Sequence, residues 1–194
     1  MRGDHAMEGL EERLEAIESQ MRYLMDRQEI EDVIHGLARA TDRFDVEMMT
    51  DCFTEDGFDD HGTWAQTPAH EFAQWANRTH SGGSVLSLHN ICTHGCEIDG
   101  DVAHAESYVM GAMLDKGGET CRILNGRYLD RLERREGRWA IALRRCTVDV
   151  VFKADASIMA SDAFRAFGMI KSSRDKLDPG YARPLTMDTP VERW

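Results

Sequence analysis

The chain has 194 residues, 42% of them hydrophobic and 30% charged, the balance of an ordinary globular domain with a sizeable core. Its 23 Lys and Arg against 35 Asp and Glu give a formal charge of −12, which argues against nucleic acid or an anionic membrane surface as partner. No apolar run approaches the ~20 residues that cross a bilayer, and the N-terminus lacks the apolar stretch of a secretory signal, so a cytoplasmic protein is expected.

Residues 1–7 (MRGDHAM) read as a disordered leader. From Glu8 to Gln28, Leu10, Leu14, Ile17, Met21 and Leu24 recur at steps of 4, 3, 4 and 3, a heptad seam on a helix. The seam fits either an amphipathic helix lying on its own domain or a contact between subunits. A second helix carries Ile30, Val33, Ile34, Leu37 and Ala38 on one face and ends near Thr41 and Asp42. Asp45 is placed to cap a third helix, Val46 to Phe53. The TEDG string at 54–57 reads as a turn, Phe58 to Trp64 as a short strand, and Thr67-Pro68 as the start of a fourth helix.

After Ser81-Gly82-Gly83-Ser84, read as a loop, the apolar period changes from 3.6 to 2. Alternation predicts strands at 85–98, 102–115, 119–134 and 138–152, joined by tight Gly-bearing turns and therefore an antiparallel meander. A short helix is expected around Asp155 to Phe167, then an irregular segment with Pro179, Pro184 and Pro190. The sum is an α+β fold: a strongly curved antiparallel sheet packed as a cone on the N-terminal helices, spanning 8–170, with a tail at 171–194. The open end of such a cone is a natural apolar pocket.

The five cysteines, Cys52, Cys92, Cys96, Cys121 and Cys146, are scattered without a CxxC pair and read as reduced thiols. Eight histidines occur without HxH or HExxH spacing, so no metal and no organic cofactor are expected. Asp42, closing a helix, and His89, within a strand, are the residues that most directly suggest chemistry. A carboxylate beside an imidazole fixes the ring tautomer and makes the other nitrogen a better base. The alternatives are structural: Asp42 as a helix cap or partner of Arg39 or Arg43, and His89 as a strand histidine bonded to backbone.

The strings LARATDRFDVEMMTDCFTEDGFDDHG, LSLHNICTHGCEIDGDVAHAESYV and NGRYLDRLERREGRWAI, in this order, resemble the SnoaL-like branch of the nuclear transport factor 2-like superfamily. The likeness spans about residues 8–152. Among its members, scytalone dehydratase, bile acid 7α-dehydratase and hexachlorocyclohexane dehydrochlorinase work through an Asp–His pair without a cofactor and are commonly trimers. The resemblance implies Asp42 and His89 as that catalytic pair and His61 in place of a carbonyl-polarising tyrosine. It also turns Tyr128 toward the cavity, while Asp60, Phe58, Trp64 and Cys146 are further candidates for substrate contact. A second histidine or aspartate expected near Ala112 and Met113 is absent, as is an arginine near Val148. The implied function is a cofactor-independent lyase, a dehydratase or a formaldehyde-releasing enzyme, acting on a small hydrophobic, hydroxylated aromatic or polycyclic compound. The alternatives are an isomerase, a binding protein and a partner subunit like the dioxygenase β-subunit. A homo-oligomer is expected, a trimer ahead of a dimer.

Overall fold

Ile30, Ile34, Leu37 and Ala40 recur at helical spacing, and all four are buried against the rest of the chain. They lie on α1 (Arg2–Arg43), which is one uninterrupted helix. A computed structural model describes residues 2–194, with side chains described for Met7 and from Gly9 onward. The two N-terminal helices expected from the sequence are therefore fused, because no Gly or Pro separates their apolar stripes. The helix starts at Arg2 rather than Glu8, and Met1 of the expected leader lies outside the described residues. Every residue from Leu10 to Met25 is exposed, and the helix meets the body only from Asp26. There Asp26 accepts from Trp139 Nε1 (2.9 Å) and from Arg134 Nη1 (2.6 Å), and the Arg134 guanidinium sits 5.2 Å over the indole.

Phe44, with φ of 54°, ends α1, and Asp45 caps α2 (Val46–Asp51) by accepting from the Met48 amide. The sequence then departs from expectation. Phe53, assigned to the helix, opens β1 (Phe53–Asp60), which runs through the supposed TEDG turn. The cause is tertiary: β6 (Arg138–Asp155) pairs with β1 in parallel, and Gly57 lets the β6 backbone approach so closely that a Cβ there would lie 2.8 Å from the Ile141 carbonyl oxygen. The expected strand 58–64 accordingly stops at Asp60, and after a turn β2 (Gln66–Pro68) pairs back onto β1. Helix α3 (Ala69–Gly83) absorbs the first three residues of the loop expected at 81–84, and the next strand begins at Ser84.

The meander follows as β3 (Ser84–Asp99), β4 (Val102–Asp115), β5 (Thr120–Arg135) and β6, each within three residues of its expected bounds. The six strands form one open sheet in the order β2-β1-β6-β5-β4-β3, antiparallel except at β1–β6. The sheet is strongly curved. Two bulges put an extra residue into β6 against β5, at Ala142 and at Asp149, and bulges of this kind bend a long ribbon. The concave face packs on α1 and α3 through Phe72, Ala76, Ala103, Leu132, Trp139 and Ile141.

Beyond β6 the expected helix shrinks to a 3-10 turn (Ser157–Ala160) and one turn, α4 (Asp162–Arg165). The tail is not free of the body: β7 (Ile170–Lys171) pairs with β8 (Glu192–Arg193), and the segment between them is bonded to α1, α3 and β3. Gly126, beside the second bulge, tests how tightly β5 and β6 are built, since a Cβ there would lie 2.0 Å from the Thr147 carbonyl oxygen. Gly126→Ala is expected to cost about 2 kcal/mol or more in urea unfolding at an unchanged m-value; a loss within about 0.5 kcal/mol would show that the sheet yields there.

Candidate active site

Asp42 sits in the last turn of α1, where the helix leaves the core, and is buried. His89 lies on β3, an edge strand whose outer backbone groups have no sheet partner. The Asp42 carboxylate spans both: Oδ2 accepts from the His89 backbone N–H (2.9 Å) and Oδ1 lies 2.7 Å from His89 Nδ1. With the carboxylate ionised, Nδ1 carries the proton and Nε2 remains the basic nitrogen. Both side chains are about nine-tenths buried, His89 at 10% and Asp42 at 9% exposure.

His89 borders a cavity of about 320 Å³ between the concave sheet, α1 and α3. Apolar walls come from Leu37, Phe72, Ala76, Val109, Met113 and Leu124. Four more of the residues singled out in the sequence line it: His61, Trp64, Tyr128 and Cys146. Trp64 is 69% exposed and lies 5.5 Å from the Trp75 ring, at the rim. Phe58 and Asp60 do not line it; they take the other face of β1. Asp60 instead accepts from the Gly62 amide (3.0 Å) and pairs with Arg145 (3.4 Å).

The neighbour that matters is Asp59, fully buried and bonded through Oδ1 to His61 Nδ1. Burial alone would lower the His61 pKa, but the bond to Asp59 and the nearby Cys146 sulfur outweigh it and raise the ring to about 10. Alternation along the strand expected at 58–64 puts residues 59 and 61 on one face, which was the available signal for Asp59. Asp130 was also missed. It holds Arg144 in a two-bonded fork (2.7 Å each), both buried, with the guanidinium 4.0 Å over the Tyr128 ring. Burial drives the Tyr128 phenol up against the opposing pull of Arg144, so it stays neutral in the cavity wall.

A third imidazole completes the group. His80, from the end of α3, meets His89 edge to face with centroids 5.3 Å apart. Burial, reinforced by His89 and Arg174, pushes its pKa down to about 3, so it is a neutral ring. Nothing in the spacing of His80 indicated this placement. The tail secures the same corner: Arg174 donates to the Ser84 carbonyl (2.8 Å), Ser84 Oγ (2.8 Å) and Ser87 Oγ (3.2 Å), and lies 4.7 Å over Phe44. Arg43 pairs with Asp178 (3.1 Å), and Tyr181 donates to Asp45 (2.7 Å). Among the described residues, no three metal-ligating side chains converge.

Residues 22–145 match the family model of the SnoaL-like domain, and the chain belongs to that family. Its fold is shared by a scytalone dehydratase-like protein of Novosphingobium aromaticivorans DSM 12444 (TM-score 0.61, 16% identity, 67% of this chain and 88% of that one). It is shared too by the type 3 hexachlorocyclohexane dehydrochlorinase LinA of Novosphingobium barchaimii LL02 (TM-score 0.65, 14% identity, 70% and 94%). A protein of unknown function from Mycobacterium tuberculosis is 27% identical over 66% of this chain and 74% of its own, at a TM-score of 0.58. No curated protein matches the chain by sequence.

The His61 environment predicts a pH-dependent contribution to stability. Because the folded pKa lies above the ordinary 6.5, the stabilisation is complete below pH 6.5 and disappears as pH rises to about 10. The melting-temperature gap between wild type and His61→Gln should therefore be widest near pH 6 and narrow toward pH 10; a constant gap would contradict a charged His61.

Proposed function

We propose that this protein is a cofactor-independent lyase that removes water, or a comparably simple leaving group, from a small, largely apolar hydroxylated ring compound. One observation carries the reading: the Asp42–His89 pair is held at two points and presents its imidazole to an apolar cavity. His89 Nε2 takes a proton from the carbon next to the one bearing the leaving oxygen, and Asp42 keeps the tautomer and stabilises the imidazolium. The bond to the leaving oxygen then breaks as the carbon–carbon double bond forms, and the proton on His89 leaves with that oxygen. A carbonyl or hydroxyl of the ligand can bond to His61 or Tyr128 in the same cavity. The structures that share this fold include proteins named for eliminations, a dehydratase and a dehydrochlorinase, which accords with the same class of reaction here. The volume of about 320 Å³ suits a ligand of one to three rings.

The test is a screen of hydroxylated aromatic and steroid-like compounds for loss of water or formaldehyde. On any compound turned over, His89→Ala should lower kcat by about 10²- to 10⁴-fold while circular dichroism and oligomer size stay unchanged. Asp42→Asn should lose activity through the wrong tautomer. Turnover that survives His89→Ala unaltered would remove the proposal.

The assembly is proposed to be a parallel trimer joined through α1. Sixteen successive exposed residues are a poor basis for a free-standing helix, and Leu10, Leu14, Ile17, Met21 and Leu24 are each about half exposed or more. The spacing assigns Leu14 to a heptad a position and Ile17 to d, a combination that favours more than two strands. In a parallel arrangement Arg13 of one copy faces Glu18 of the next. Sedimentation should give a trimer that Ile17→Glu dissociates; a wild-type monomer would refute it.

A further inference from the structure

We infer that Cys146, His61 and Asp59 form a nucleophilic triad, and that the cavity captures conjugated enones as reversible thioether adducts on the Cys146 sulfur. The inference uses the same cavity but does not rest on the elimination reading, because it involves neither Asp42 nor His89. It starts from the register of two strands. β1 and β6 run in parallel with Asp59 beside Arg144 and Asp60 beside Arg145, so the next residue along each chain brings His61 and Cys146 together. Asp59, fully buried, holds His61 Nδ1 through Oδ1, and the Cys146 sulfur is bonded to the same ring. Carboxylate, imidazole and thiol thus stand in line, the order of groups that converts a thiol into a nucleophile. The ring and the sulfur both line the cavity of about 320 Å³, where a bound molecule meets them.

The charges around the sulfur favour its reactive form. Burial lowers the His61 pKa, but the bonds to Asp59 and to the sulfur overcome it and hold the ring at about 10, an imidazolium at neutral pH. A cationic imidazole beside a cysteine favours the thiolate, the form that attacks. From the other elements, Arg144 of β6 is answered by Asp130 of β5, and Tyr128 of β5 and His80 of α3 are neutral. The sulfur also lies 3.5 Å from the Thr147 carbonyl oxygen, a weak partner for a thiol proton, whereas the bond to His61 is charge-assisted. Trp75 and Tyr128 hold the imidazole in place, at centroid distances of 5.8 and 6.2 Å.

The surroundings select the electrophile. Cys146 sits within the β5–β6 ladder opposite Tyr128, where backbone N–H groups serve the sheet. Acyl transfer would need such groups free to hold an oxyanion, as they are at a helix start. Conjugate addition has no such need, and the apolar walls of Phe72, Val109 and Leu124 suit a flat ring. The sulfur attacks the alkene carbon remote from the carbonyl, and a carbon–sulfur bond forms. The alkene pair moves toward the carbonyl, and His61 passes its proton to the carbon beside it. The net change is addition of S–H across the double bond, and the reverse path releases the enone.

The experiment alkylates the full chain with iodoacetamide in short pulses and reads each cysteine by peptide mass spectrometry. Cys92, which is exposed, is the internal reference. At pH 6 Cys146 should react about tenfold or more faster than Cys92, although it is less exposed. Its rate should stay level from pH 6 to 8, where an ordinary thiol gains about tenfold per pH unit. His61→Gln should slow Cys146 about tenfold or more at pH 6 and leave Cys92 unchanged. 2-Cyclohexen-1-one should add once, at Cys146, and leave on dilution. Cys146 slower than Cys92 at pH 6, a rate that climbs with pH as that of Cys92 does, or no cyclohexenone adduct at Cys146 would overturn the inference. Should His61→Gln fail to fold, the wild-type rate ratio, pH slope and adduct decide.

Discussion

The site depends on one carboxylate making two bonds across the boundary between helix and sheet. An edge strand presents backbone N–H groups that no neighbouring strand satisfies, and leaving one buried and unbonded costs about 1–3 kcal/mol. Asp42 supplies the acceptor for the His89 amide and, with its second oxygen, fixes the ring. A single side chain therefore satisfies one amide of the sheet edge and orients the imidazole beside it. Because the backbone bond holds the carboxylate in place, the ring can rotate only at the expense of its partner. That is the preorganisation a proton-transferring site needs, with the geometry fixed before a ligand arrives.

Such an arrangement requires the end of α1 to be rigid, and the chain invests several contacts there. Phe44 terminates the helix in the left-handed region, and Asp45 at once starts α2 while accepting from Tyr181 and pairing with Lys176. Arg43 reaches Asp178, whose other bonds fold the tail onto itself through the Ser173 and Gly180 amides. From the same tail Arg174 grips the junction of α3 and β3 at Ser84 and Ser87. The segment thus joins the helix that carries Asp42 to the strand that carries His89, although it lies outside the 22–145 span of the family match.

What could be read from the sequence followed from periodicity, and what could not followed from contacts between distant segments. The four long strands were legible because alternation and Gly-bearing turns are local signals. The burial stripe of α1 was equally plain; its continuity was missed because the heptad seam and the core stripe lie on different faces and read as two helices. β1 was hidden because a string of Thr, Glu, Asp and Gly has turn composition, and only the parallel partner β6 makes it a strand. The same gap concealed the Asp59–His61 contact. The contact between Asp42 and His89 was expected from their frames and the family resemblance, whereas Asp60 was preferred to Asp59 because the start and register of β1 were unknown. Asp130 waited on Arg144, which sits across the β5–β6 ladder.

Three histidines in one cavity show why residue type alone does not give a role. His61, His80 and His89 share an ordinary pKa near 6.5. Asp59 keeps the first charged, burial keeps the second neutral, and Asp42 fixes the tautomer of the third. The cavity therefore holds three imidazoles in three different settings within one apolar shell. The differences come from the carboxylates and from burial rather than from the imidazoles themselves, with Asp59 holding one ring as Asp42 holds another.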